Sequence, residues 1–236
     1  MTIELRAPRA GTMTQAQIDQ GLRKYMLGVF NYMASGLALT GIVAYVFAHT
    51  GLYEAMMRSG AGFIVMIAPL AIIFFMSFKA RTMRTSTAQV LFWVFSALMG
   101  ASLSYIFIRY TGASVARVFF ITAGTFAAAS LFGYVTKRDL TKMGSFLFMG
   151  LIGIIIAMIV NIFLGSSTLE FVISAIGVVV FTGLTAFDTQ RIKEVYVESD
   201  GRDVMVKKSI LGAVSLYLNF INLFMMLLNF MGASRE

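Results

Sequence analysis

The chain reads as an all-α membrane protein built from seven transmembrane helices, and three observations predict that class. Seven apolar stretches of spanning length lie between Tyr25 and Met231. Hydrophobic residues make up 58% of the chain and charged residues only 13%, where soluble domains carry roughly a quarter charged. The basic residues, finally, fall in alternate connections between the apolar stretches. With 236 residues, seven helices of about 20 residues each leave too little chain for a second folded domain. The reading is therefore one seven-helix domain over residues 25–232, with a tail at 1–24 and a short one at 233–236.

Taken in order, residues 1–24 are polar, and Pro8 and Gly11 argue against regular structure at their start. The first span, 25–48, is too long for the apolar core of a secretory signal and is read as a retained helix. The second covers 62–78, the third 90–108 and the fourth 115–135. Spans five and six, 145–164 and 169–187, are separated around Gly165, Ser166 and Ser167 by a tight hairpin. The seventh runs over 210–231 after a long charged connection, 189–209. Lys and Arg set the orientation. Fifteen flank the first end of the bundle, from Arg6 to Lys208, against Arg58, Arg109, Arg117 and Arg235 at the other. That bias predicts a cytoplasmic N-terminus and an outside C-terminus.

Helix packing in lipid relies on small residues that let backbones approach. Ser96, Gly100 and Ser104 share a face of the third span, and Gly124 with Ala128, and Ala129 with Gly133, do so on the fourth. These predict ordinary bundle packing and no activity.

The sixth span differs, because Glu170, Ser174, Gly177, Phe181, Thr185 and Asp188 recur at steps of three or four and form one polar seam. Glu170 and Asp188 lie about 27 Å apart along such a helix, close to one hydrocarbon thickness. Glu170 is thus expected at the outer mouth and Asp188 at the inner one. The seventh span repeats the pattern with Lys208, Gly212, Ser215, Asn219, Asn222, Met226 and Asn229. Amides on one stripe avoid lipid, so this helix is expected at the bundle centre, with Asn31, Ser35 and Asn161 as further polar partners. A carboxylate at bilayer depth needs a cation, a proton or a basic partner. Lys79, Arg81 and Lys208 are near enough in depth to latch Asp188. Simple counting places Asn219 about 14 Å into the seventh span while Asp188 ends the sixth, so direct contact requires a late start or a tilt.

Enzyme classes are excluded by what the chain lacks. It has no Cys and a single histidine, His49, so thiolate and His-rich metal sites are absent and no cofactor is expected. No phosphate loop follows a strand, and no lysine lies mid-way along the seventh span for a Schiff base. The net charge of +8 orients helices, and no nucleic-acid partner is expected.

Three stretches carry a resemblance: GYVTKRDLTKMGSFLFMGLIG at 133–153, TAFDTQRIK at 185–193 and SLYLNFINLF at 215–224. The chain resembles the bacterial, YccA-like branch of the Bax inhibitor-1, or transmembrane Bax inhibitor motif, family. The resemblance implies a multi-pass protein of the bacterial inner membrane with the seventh helix surrounded by the other six, and a passive, pH-sensitive calcium leak. Asp188 matches the family's acidic position, which leak-competent members pair with a second Asp where this chain has Asn219. Both residues are the expected ligands of a permeating calcium ion, with Thr185, Ser215, Asn222 and Glu170 along the pathway. An Asp–Asn pair lacks the like-charge repulsion that raises one carboxylate's pKa, so weakened pH gating is expected. The alternative is a regulator that binds membrane proteins, such as a membrane-anchored quality-control protease, through its N-terminal tail.

Overall fold

The structure is a computed structural model and describes residues 15–80 and 82–235. Nine helices order the described chain: α1 (Gln15–His49), α2 (Leu52–Arg58), α3 (Ala61–Lys79), α4 (Thr85–Leu103), α5 (Tyr105–Arg109), α6 (Gly112–Val135), α7 (Thr141–Leu164), α8 (Ser167–Glu194) and α9 (Arg202–Met231). Seven spans long and apolar enough to cross a membrane result, with α4 and α5 sharing one and α2 too short to count. Each apolar stretch of the sequence is one of these spans.

Helix ends run further than hydropathy alone indicates, because polar residues continue the backbone hydrogen bonding once a helix leaves hydrocarbon. The first helix begins at Gln15, so residues 15–24 are helical, while the expectation for Pro8 and Gly11 lies outside the described residues. The sixth span continues through Glu194, and the seventh starts at Arg202. The charged connection shrinks accordingly to residues 195–201. In the third span Ser104 interrupts the helix, its buried hydroxyl bonding back to the Ala101 carbonyl at 2.6 Å. The predicted hairpin between the fifth and sixth spans is present. Gly165 closes α7 in the left-handed conformation at φ 60, the Asn161 side chain accepts from the Ser166 N–H at 3.0 Å, and Ser166 caps α8 by accepting from Leu169.

The ninth helix is the core. Buried residues make up 72% of its most apolar stretch, against 11% for α7 and 17% for α3. It packs directly on α1, α4, α6 and α8, while α3 lies against α4 and α7 against α8. Those four helices carry most of its enclosure. Leu216, Tyr217, Leu223 and Leu228 are fully buried. Its far end is tied down by the segment after it, where Thr111 donates to the Ala233 carbonyl, Arg235 to the Arg109 carbonyl, and Tyr110 bridges Ser234.

Small residues set the closest approaches. A side chain at Gly133 would run into the Ala186 backbone, so α6 and α8 touch main chain to main chain there. Gly100 similarly faces the Thr40 carbonyl and Val43 of α1. Gly124 and Ala128 are a correction: both are exposed, nothing lies within 4 Å of where a Gly124 Cβ would be, and no other described helix packs on this face.

Candidate functional site

Antiparallel pairing of α8 with α9 brings the two polar stripes together. Lys208 donates to the Val195 carbonyl, Gly212 lies against Ile192, Ser215 and Asn219 meet Asp188, and Gly177 lies against Met226. One register accounts for all four contacts. Residues 202–207 therefore project past the end of α8, and the depth mismatch counted from hydropathy disappears. No late start and no tilt is needed.

Asp188 is 5% exposed and Asn219 6%. Ser215 Oγ and Asn219 Nδ2 each donate to Asp188 Oδ2 at 2.8 Å, and no hydrogen bond to Oδ1 is described. One carboxylate oxygen is thus fully engaged and the other is left for a further donor or cation. The flanking hydroxyls do not supply it. Thr185 and Thr189 both bond back to carbonyls one turn earlier, Phe181 and Thr185 respectively, so Thr185 lines the seam without reaching the carboxylate.

Among the described residues the expected latch does not form. Lys208 pairs instead with Asp200 and the Val195 carbonyl, because the continued α8 carries Asp188 two turns deeper than the Lys208 ammonium. Lys79 is exposed, and Arg81 lies outside the described residues. Asn31 and Ser35 are exposed on α1 and give the seam nothing. Asn161 accepts from the hairpin backbone and does not reach the seam. Asn222 is half-buried on the α9 stripe with no hydrogen bond described, and Asn229, exposed at the end of the stripe, accepts from the Tyr110 hydroxyl at 3.0 Å.

Two cavities approach the seam from opposite ends. At the end carrying the basic loops, one of about 170 Å³ is walled by Tyr25, Arg191, Lys208, Gly212 and Ser215. It stops at Ser215, a single hydrogen bond short of Asp188. At the other end, one of about 340 Å³ is lined by Asn161, Glu170, Ser174, Met226 and Asn229. Between them Met226 lies on Gly177 and Phe181 is buried, so apolar side chains separate the far cavity from the carboxylate.

Sequence reasoning missed two polar clusters. Thr40 donates to the Ser96 carbonyl at 2.8 Å and shares a 2.6 Å hydrogen bond with the Tyr217 hydroxyl, joining α1, α4 and α9. The Gln190 side chain accepts from the Leu140 N–H and donates to the Arg138 carbonyl, clamping the α6–α7 loop onto α8, with Lys193 bonding the Tyr134 carbonyl beside it. Gln190 stands two residues from Asp188, so the TAFDTQRIK motif serves two faces of one helix.

Residues 22–236 match the family model described as "Inhibitor of apoptosis-promoting Bax1". The chain belongs to that Bax inhibitor-1 family. Its relatives include an uncharacterized protein of Rickettsia prowazekii, 52% identical over 95% of this chain and 96% of its own length. The inner membrane protein YbhL of Escherichia coli is 44% identical over 98% and 99%. An uncharacterized membrane protein of Streptococcus pyogenes is 34% identical over 92% and 95%. With seven helices long and apolar enough to cross a membrane among the described residues, this Bax inhibitor-1 family member is a multi-pass inner-membrane protein.

Proposed function

We propose that this family member passes calcium passively across the membrane along the α8–α9 seam, with Asp188 as the ion's principal anionic contact. The observation that supports the reading is a buried carboxylate that receives only neutral donors, Ser215 and Asn219, and no basic side chain among the described residues. A carboxylate kept in that state at bilayer depth is balanced by a cation or a proton. The Asn219 carbonyl oxygen and the free Asp188 Oδ1 are hard donors of the kind calcium takes, at lower total charge than an Asp pair would offer. Met226 and Phe181 act as the closed constriction. The lysine and arginine at the basic-end cavity raise a barrier to cation arrival there, which makes the leak weak.

With one carboxylate in place of two, the pH profile of the leak is shallow. Calcium flux in proteoliposomes tests this. Asp188→Asn abolishes flux, and Asn219→Asp increases it and makes it strongly pH-dependent between about pH 5 and 8, where a coupled carboxylate pair loses its shared proton. Undiminished flux in Asp188→Asn defeats the channel reading and leaves regulation through protein partners as the surviving account.

A further inference from the structure

The cavity at the far end of the seam has a chemistry of its own. Glu170, in the first turn of α8, is half-buried, and no hydrogen bond or ion pair to it is described. Ser174, one turn deeper, is 1% exposed, and its hydroxyl has no partner. A buried hydroxyl left unsatisfied is unfavourable, and a bound water or ion in the adjoining space relieves it. The side-chain oxygens of Asn161 and Asn229 border the same space. Each accepts one hydrogen bond, from Ser166 and Tyr110, and retains a second lone pair. One carboxylate, two amide oxygens and one hydroxyl thus surround about 340 Å³, with the hairpin glycine Gly165 at its rim.

We propose that this cavity is a second, superficial cation site that holds a hydrated divalent ion of the calcium type. The polar side chains of the lining offer hard oxygens, and no group of three His, Cys, Asp or Glu able to hold a metal tightly exists among the described residues. A single carboxylate with neutral oxygens and water holds calcium weakly, in the range of extracellular modules at about 10⁻⁴–10⁻³ M. Arg109, whose guanidinium lies 5.6 Å from the Tyr110 ring centre, adds a repelling charge nearby. The site ends where Met226 meets Gly177, so it fills without the seam opening. It deepens the leak reading as a place where ions gather, yet it does not require flux.

Tyr110 supplies the readout, since its hydroxyl bonds Asn229 at the cavity wall and tyrosine sensitises terbium emission at short range. Terbium titrated into the full-length protein in lipid nanodiscs is expected to give tyrosine-sensitised emission that calcium displaces. Glu170→Gln weakens terbium binding by at least about tenfold, and Asn161→Asp, which keeps the hairpin acceptor and adds a charge, tightens it by about tenfold. Asp188→Asn leaves the Glu170-dependent part of the emission unchanged. No displaceable emission, full emission in Glu170→Gln, or emission lost in Asp188→Asn alone each overturns the proposal. Terbium binding of this pattern in a protein that passes no calcium keeps the site and removes the leak, so the two readings fail separately.

Discussion

At the scale of single residues, what matters is which hydroxyls and amides have partners. Thr40 is the hub of a three-helix cluster, donating to Ser96 and sharing a bond with Tyr217. Tyr217→Phe removes one hydroxyl and leaves Thr40 bonded to the carbonyl, a loss of about 0.5–1.5 kcal/mol. Thr40→Val strands the fully buried Tyr217 hydroxyl and costs more, about 1–3 kcal/mol. Thermal unfolding in detergent is expected to rank the two in that order, and the reverse order would show that the cluster is held elsewhere. Asp188 and its facing Asn219 were legible from residue type and spacing alone, because a carboxylate and an amide have few places to go inside lipid, whereas Asn229 of the same stripe is exposed. Thr40 and Tyr217 were not legible. Threonine and tyrosine are common in membrane helices, and only the fold shows that these two, 177 positions apart, meet.

At the scale of elements, packing rests on where backbones touch. Gly133→Val would push α6 away from the Ala186 carbonyl and is expected to destabilise by about 1–3 kcal/mol. Gly124→Ala, on the open face of the same helix, is expected to be neutral or to stabilise by up to about 1 kcal/mol through helix propensity. Unfolding of the two variants side by side checks this. Asp139 governs the start of α7 in a pH-dependent way. The Thr141 hydroxyl and N–H hold its carboxyl below the ordinary 3.8. Its contribution is therefore present above that value and disappears as pH falls through the lowered one. Wild type should lose more stability than Asp139→Ala on acidification below about pH 4. Equal losses would place the effect at other carboxylates. Span number and order were readable from hydropathy, since apolar length is a direct physical requirement of the bilayer. Span ends were not, because α8 and α9 run on through charged residues, and the Lys208 latch was expected from boundaries drawn too short. Sequence spacing likewise gave Gly133 and Gly124 equal standing, and only the neighbouring helix distinguishes them.

At the scale of the whole molecule, two cavities face each other across an apolar constriction on one helix pair. Shortening the constriction should join them. Met226→Ala is expected to raise calcium flux several-fold in proteoliposomes, and Met226→Phe to lower it, with neither altering the pH profile. Unchanged flux in both would mean that the ion route bypasses the α8–α9 contact. The central place of α9 follows from its sequence in plain terms: a helix with Asn219, Asn222 and Ser215 on one face and bulky apolar residues on the others is satisfied only when enclosed.

That enclosure has a consequence for biogenesis. The helix around which the others gather is translated after all of them, so α1, α4, α6 and α8 must enter the bilayer with their inner faces unfilled and Asp188 without its two donors. Until α9 arrives, the ribosome-bound intermediate lacks its hub and should be vulnerable to proteases and to mispairing. Arrest of translation just before Arg202 should therefore leave a labile product, and release through Arg235, whose backbone bonds Arg109, should be what locks the assembly shut.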